Sequence, residues 1–128
     1  MLQVKGGATL GMLMLTDIDW RNRTACNGTK ILAKLEDRVP NDMYNARMGL
    51  FHYAFDELDL ECIYGWILEY NLLSRKNALR SGMKEEGRLR SRIFKNGRRW
   101  DLISYSITKE EFHQKYEEYK KEMANHDK

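Results

Sequence analysis

The sequence predicts a mixed α/β fold in which strands outnumber helices. Two patterns in the sequence predict it: a strand–helix–strand unit between Thr24 and Leu68, and an Asn96-Gly97 turn between two later strands. A short connection through a helix implies parallel strands, whereas Asn-Gly is the strongest short signal for an antiparallel hairpin. We therefore expect a mixed, mostly antiparallel sheet with a central parallel strand pair, helices on both faces and a C-terminal amphipathic helix.

Composition indicates one globular domain spanning residues 1–128. The chain is 42% hydrophobic and 32% charged, with a net charge of +3, which is ordinary for such a domain and too weak to indicate nucleic acid or a membrane. Cys26 and Cys62 stand far apart, and the three histidines are scattered. We therefore predict free thiols, no metal site and a cytoplasmic location.

The first half of the chain predicts two strands and a helix. Apolar, partly alternating residues indicate strands over Ala8–Thr16 and Thr24–Leu35, antiparallel to each other, after a loose lead-in at residues 1–6. Apolar residues at spacings of three and four then predict a helix over Met43–Leu58. Its predicted apolar stripe consists of Ala46, Leu50, Phe51, Ala54, Phe55 and Leu58.

The second half predicts three strands and two helices. Glu61–Leu68 is short and apolar, as in a buried strand, and Gly82 ends the helix that follows it. Thr108 and Glu111 form a capping box that opens the last helix. The other predicted elements are the helix Leu72–Ser81 and the strands Lys84–Ile93 and Arg98–Thr108.

The strand-to-helix junction at Asn71 carries most of the functional argument. Asn71 is placed to cap the helix, and its side-chain amide is equally suited to bind a ligand beside the end of the strand. Spacing alone favours the cap, and the two roles are compatible. Ser74 by itself is typical of an exposed helix serine.

Several motifs together resemble the GNAT superfamily of N-acetyltransferases. The chain is most similar to the branch that contains ribosomal-protein-alanine, spermidine and amino-sugar acetyltransferases, and the resemblance runs from about Thr9 to Phe112. The segments that carry it are His52–Ile63, Glu69-Tyr70-Asn71 with Ser74, Gly82, Lys84–Arg90, Phe94–Gly97 and Asp101.

The resemblance implies an acetyl-CoA co-substrate and an amine acceptor, which is a small molecule or a peptide. Acetyl-CoA is expected between the Thr24–Leu35 and Glu61–Leu68 strands, with its pyrophosphate on backbone amides at the start of the Met43–Leu58 helix. The acceptor amine then attacks the thioester directly. The implied cofactor-binding residues are Asn71, Ser74, Arg38, Asn41, Met43 and Leu32.

Two residues are candidates for proton transfer. Ser74 matches the serine of the family's Asn-x-x-Ser element, where it lies near the sulfur and can protonate the leaving thiolate. Glu69 is the carboxylate nearest to this element and the candidate general base.

The chain departs from the family pattern in ways that favour a second hypothesis. The glycines of the phosphate loop are replaced in Arg38–Met43, Cys26 stands where many relatives have a glutamate, and Ala78 stands where others have a tyrosine. The family's first strand and two helices are also missing. The alternative is therefore a catalytically inactive remnant that binds a completing chain or forms a homodimer.

A basic stripe on the predicted hairpin allows a third hypothesis. Arg88, Arg90 and Arg92 alternate along one strand, with Arg98 and Arg99 across the turn, and such a stripe can bind RNA. We expect nearby acidic residues to neutralise it, so the sequence disfavours nucleic acid as a partner. These residues are Glu85, Glu86 and Asp101.

Overall fold

The computed structural model describes residues 2, 3, 9–31 and 42–126, with side chains for residues 13–28 and 43–125. These residues fall into two compact units, which meet in sequence between Ile63 and Tyr64. The prediction of one domain over residues 1–128 remains a prediction.

The first unit contains an antiparallel arrangement of three strands. They are β1 (Leu2–Gln3), β2 (Thr9–Asp19) and β3 (Thr24–Ile31), paired in that order. The turn before β3 is tied by Asp19, whose Oδ1 accepts the backbone N–H groups of Arg21 and Asn22 at 3.0 and 2.9 Å. The expected loose lead-in is therefore wrong at Leu2–Gln3, which pair with β2.

Helix α1 spans Asp42–His52 and continues as a π-helical turn over Tyr53–Glu57. Half of the apolar stripe predicted for it is fully buried, namely Phe51, Ala54 and Phe55, and the other three residues are partly exposed. The backbone N–H of Leu58 bonds the carbonyl of Tyr53 at 3.0 Å, which closes the wider turn. The helix thus ends close to the predicted boundary.

The second unit contains the strand β4 (Cys62–Leu68, which begins two residues before the unit), β5 (Lys84–Lys95) and β6 (Arg98–Thr108). Their order is β4, β6, β5, and β5 pairs antiparallel with β6. Asn96 and Gly97 both have positive φ, 55° and 77°, as a type I′ turn requires. The Asn-Gly hairpin is therefore confirmed.

A bulge interrupts the pairing of β5 with β6. Leu89 pairs with Leu102 and Ile93 with Trp100, so three β5 residues lie opposite Asp101 alone. Ser91, in the middle of the three, has φ 57°. The regular alternation that predicted a single arginine face is thus interrupted at Ser91.

Two helices complete the second unit. Helix α2 spans Leu72–Arg80 and is followed by Gly82, whose φ of 94° explains the predicted glycine stop. Helix α3 spans Lys109–His126. The predicted capping box opens it, because Thr108 N–H donates to Glu111 Oε1 at 3.0 Å and Glu111 N–H donates to Thr108 Oγ1 at 3.3 Å.

The predicted fold class is confirmed: the fold is mixed α/β, mostly antiparallel with one parallel pair of strands, and it ends in a C-terminal helix. Within the second unit, most of the core side chains come from β6 and the start of α3. Ile103, Tyr105, Ile107 and Phe112 are each at most 1% exposed, and Ala78 of α2 and Met83 are buried as well.

Candidate functional site

The junction between β4 and α2 is a tight, hydrogen-bonded turn. The backbone N–H of Asn71 donates to the carbonyl of Leu68 at 2.9 Å, and Arg75 N–H closes the first helical turn on the Asn71 carbonyl at 3.1 Å. This turn brings Glu69, Asn71 and Ser74 within six residues of chain, at the start of one helix. The second unit alone therefore holds three of the predicted site residues.

Asn71 is the N-cap of α2. Its Oδ1 accepts the backbone N–H of Ser74 at 3.2 Å, and its φ and ψ of −86° and 76° are not helical. The capping role weighed from the sequence is confirmed. Only the oxygen is used, since the Nδ2 group donates to no described residue. Asn71 is exposed, so Nδ2 is accessible to a ligand.

Ser74 lies in the first turn of α2 and is partly exposed. Its backbone N–H is bound to Asn71, whereas its Oγ makes no hydrogen bond to the described part of the chain. A hydroxyl without a partner at this position can donate a proton or a hydrogen bond to a bound molecule.

The Glu69 carboxylate is held by two donors. Oε1 accepts the backbone N–H of Asp101 at 2.9 Å, and Oε2 accepts Arg88 Nη1 at 3.1 Å. Its own backbone N–H donates to the Asp101 carbonyl at 3.0 Å, so Glu69 ties the end of β4 to β6. The side chain is 20% exposed. Glu69 therefore has a structural role whether or not it also accepts a proton.

Arg88 joins Glu69 to Asp101. Its Nη1 donates to Asp101 Oδ2 at 3.4 Å, while Asp101 Oδ1 accepts the backbone N–H of Ser91 at 2.9 Å. The hydrogen bond from Ser91, followed by that from Arg88, lowers the pKa of Asp101 below its ordinary value. We call Glu69, Arg88 and Asp101 the hairpin base.

Arg75 is a second clamp on the junction. Its Nη1 donates to the Glu69 carbonyl at 3.0 Å, its Nε to Tyr105 Oη at 3.2 Å, and its Nη2 pairs with Glu85 at 3.8 Å. The start of α2 is thus fixed to both β5 and β6. Sequence reasoning missed this residue because its partners lie up to thirty residues away, and no fixed spacing signals such contacts.

Apolar side chains around the junction are open to solvent. Leu72 is 69% exposed, Leu73 50% and Trp66, near the end of β4, 49%. A ligand that reaches Asn71 can therefore also make apolar contacts.

Of the four cofactor-binding residues predicted before α2, the structure describes only Met43. It lies in the first turn of α1 and is partly exposed. Arg38, Asn41 and Leu32 lie outside the described residues, so their predicted roles remain predictions.

On β3, Cys26 and Asn27 occupy adjacent positions. Cys26 is half-buried, and burial raises the pKa of its thiol, which is the opposite of what a nucleophile needs. The Oδ1 of Asn27 is buried and accepts no hydrogen bond from the described chain. An orphaned buried acceptor is costly unless a ligand or water satisfies it.

The described residues contain neither a cluster of metal ligands nor a helix that could cross a membrane. Among residues 2, 3, 9–31 and 42–126, no three His, Cys, Asp or Glu side chains come together in a way that could hold a metal ion. Within the same ranges, none of the helices has both the length and the apolar character needed to cross a membrane.

Comparison with known proteins decides the family. The chain is 34% identical over 106 residues to YdaF of Bacillus subtilis, which is provisionally named a ribosomal N-acetyltransferase. It belongs to the GNAT superfamily. No protein-family model matches this GNAT chain. The alignment covers 83% of the chain and 57% of YdaF, so the chain spans little more than half the length of that relative.

Solved structures agree with this fold. A spermidine N-acetyltransferase SpeG variant from Vibrio cholerae superposes with a TM-score of 0.76 at 22% identity, over 87% of this chain and 64% of SpeG. A protein described as a probable acetyltransferase gives 0.71 at 34% identity, over 81% of this chain and 57% of its own. The first of these supports the fold alone, because its identity is low.

Proposed function

We propose that this chain transfers the acetyl group of acetyl-CoA to a primary amine. The observation that carries the proposal is the free donor pair at the start of α2, Asn71 Nδ2 and Ser74 Oγ, in a chain 34% identical to YdaF. The names of the relatives point to amines: a ribosomal substrate for YdaF and spermidine for SpeG. A protein N-terminus, a polyamine and an amino sugar are all primary amines.

Asn71 and Ser74 have separate tasks in this proposal. Asn71 Nδ2 donates to a carbonyl of the pantetheine arm while Oδ1 keeps the cap. The acceptor nitrogen attacks the thioester carbonyl and releases a proton to the proposed base Glu69 or to water. The carbon–sulfur bond breaks, and Ser74 Oγ donates a proton to the leaving sulfur and regains one from solvent. Exposed Leu72 and Leu73 offer apolar contacts to the same arm.

The phosphate end of acetyl-CoA needs further groups, and the resemblance implies which residues supply them. We propose that Arg38, Asn41, Met43 and Leu32 serve the phosphate end.

We propose that Glu69 is the general base, and one substitution tests this role. Its two bound donors also support a purely structural role. If Glu69 is the base, Glu69→Gln abolishes the acidic limb of the rate profile, where kcat/KM rises with pH. If its role is only structural, the variant keeps the shape of the profile while activity and melting temperature fall together.

Ligand-dependent melting tests the binding of acetyl-CoA. At about a hundred times its dissociation constant, acetyl-CoA adds roughly 2.7 kcal/mol to the free energy of unfolding. Asn71→Asp is the informative variant, because aspartate keeps the capping oxygen and removes the Nδ2 donor. We expect normal folding and a smaller thermal shift. Asn77→Ala, in the same helix, is the matched control and should leave the shift unchanged.

Catalysis is tested at Ser74. Ser74→Ala should lower kcat about a hundredfold with little change in KM, whereas Ser74→Thr should retain most of the rate because it keeps a hydroxyl. No thermal shift at millimolar acetyl-CoA would refute the proposed function. Turnover that is unaffected in Ser74→Ala would refute the role of Ser74.

A binding or self-associating module without catalysis is the second candidate. Leu72 and Leu79 are seven residues apart on one face of α2 and are 69% and 55% exposed. This face favours the proposed homodimer. Light scattering and thermal melting together test this candidate. The module is supported if the unmodified chain is a dimer that binds no acetyl-CoA and if Leu79→Glu makes it monomeric. Neither Cys26 nor Cys62 forms a disulfide in the described part of the chain, which supports a proposed cytoplasmic location.

A further inference from the structure

The turn of the β5–β6 hairpin carries an unusual density of cations. From Arg88 to Trp100 the chain has six basic residues and no acidic one. We call Arg92, Lys95, Arg98 and Arg99 the hairpin tip; all four are exposed. The proposed acetyl transfer uses none of them.

The neutralisation expected from the sequence does not reach the hairpin tip. Asp101 pairs with Arg88, Glu85 pairs with Arg75, and Glu86 accepts the hydroxyls of Ser104 and Ser106. Among the described residues, no carboxylate forms a salt bridge with any of the four tip cations. The tip is therefore a positively charged surface without counter-ions in the described part of the chain.

Two tip guanidinium groups lie over aromatic rings. The Arg98 guanidinium carbon is 3.8 Å from the centroid of the Trp100 ring, and that of Arg99 is 5.6 Å from the centroid of the Phe94 ring. Phe94 pairs directly with Arg99 across the hairpin, and Lys95 with Arg98. Successive pairs lie on opposite faces of the ribbon, so each face carries one cation–aromatic stack.

The Trp100 stack is held rigidly before any partner binds. Its indole Nε1–H donates to the Lys95 carbonyl at 2.9 Å, and Tyr70 meets the ring edge-on at 4.9 Å. Lys95 lies 5.0 Å from the Tyr70 ring centroid. A preordered stack loses less conformational entropy on binding than free side chains do.

We propose that the hairpin tip binds single-stranded RNA. Its four cations contact phosphates, and an unpaired base extends the stack on the outer face of the Arg98 guanidinium, a mode that single-stranded RNA commonly uses. Duplex nucleic acid fits poorly because its bases are already stacked and paired. An acidic peptide would use the charges but not the planar stacks, and cellular RNA presents unpaired bases far more often than DNA does.

Fluorescence anisotropy of the full chain with a short labelled RNA, about twelve nucleotides long, measures this binding. If all four cations contact phosphates, the slope of log K against log salt is about −2.8, and Arg92→Ala reduces its magnitude by about 0.7. Lys121→Ala, an exposed cation on α3, is the control and should leave affinity and slope unchanged.

The conservative substitution Arg98→Lys separates stacking from charge. Lysine keeps the charge but lacks the planar group, so affinity should fall about tenfold while the salt slope is retained. Arg92→Lys is the matched control, because Arg92 contacts no ring in the described structure. Both variants keep the hairpin turn, and equal melting temperatures confirm that they fold.

Competitors complete the test. Preference for single-stranded RNA over duplex RNA, DNA of the same sequence and heparin supports the proposal. Equal or tighter binding of any of these three, binding that does not weaken with salt, or an unchanged affinity in Arg98→Lys would overturn it. Because acetyl-CoA is not involved, the outcome is independent of the proposed acetyl transfer.

Discussion

The two ends of the β5–β6 hairpin use arginine in different ways. At the hairpin base, Arg88 meets two carboxylates, Glu69 at 3.1 Å and Asp101 at 3.4 Å. At the hairpin tip, Arg98 meets a ring at 3.8 Å and has no carboxylate partner among the described residues. The same side chain thus connects strands at one end and remains available to a partner at the other.

The difference lies in where the carboxylates are placed, not in the arginines. Glu69 directly follows β4 and Asp101 lies on β6 opposite the bulge in β5, and both reach only the base. A hydrogen-bonded ion pair fixes both side chains, whereas a cation stacked on an exposed ring keeps its N–H groups for a phosphate. The base is therefore expected to control stability, and the tip to control binding.

The largest effect on stability is expected from Glu69→Ala. It removes the acceptor of both the Asp101 N–H and the Arg88 guanidinium, and hydrogen bonds to a charged group are worth about 1.5–3 kcal/mol. Chemical denaturation should show a loss of that size. The same experiment on Glu110→Ala, an exposed glutamate in the first turn of α3, should show a much smaller change; equal losses would contradict the role of the base.

A smaller loss, about 1 kcal/mol in the free energy of unfolding, is expected from Asn71→Ala. The substitution removes Asn71 Oδ1, the acceptor of the Ser74 backbone N–H at the start of α2. Asn71→Ser should restore most of the loss, since serine also caps helices well. If the Asn71→Ala and Asn71→Ser variants are equally stable in thermal melts, the side-chain hydrogen bond to Ser74 N–H does not stabilise α2.

Acid should weaken the hairpin base but not the tip. The folded-state pKa of Asp101 lies below its ordinary value of 3.8 because Ser91 N–H and Arg88 bind the carboxylate. Its contribution to stability is therefore complete above pH 3.8 and is lost as the pH falls through the lower folded-state value. Asp101→Asn should flatten this part of the stability profile, measured by denaturation from neutral to acidic pH. An unchanged slope would show that another group titrates there.

The smallest effect on folding is expected at the tip. Arg98→Ala removes an exposed side chain without an ion pair, so the free energy of unfolding should change by less than about 0.5 kcal/mol. Melting temperature checks this directly. A loss as large as that of Glu69→Ala would mean that the Arg98–Trp100 stack is structural, and the contrast between the two ends would disappear.

Local chemistry explains what could be predicted from the sequence. The Asn96-Gly97 turn, the Thr108–Glu111 capping box, the Gly82 stop and the Asn71 cap are all present, because each depends on residues at most a few positions apart. Periodicity likewise located the helices and strands to within a few residues. The family resemblance rested on the same segments.

Only the tertiary structure decided which charged side chains form ion pairs and hydrogen bonds with each other. Apart from the short strand Leu2–Gln3, the sequence alone determined the elements, their order and the motifs at their ends, since backbone preferences act over short distances. It did not determine that Arg75 clamps the Glu69 carbonyl and Tyr105, or that Asp101 satisfies the bulge at Ser91 and leaves the tip cations unpaired. Those partners lie six to thirty residues away in sequence, and only strand register and the bulge bring them together.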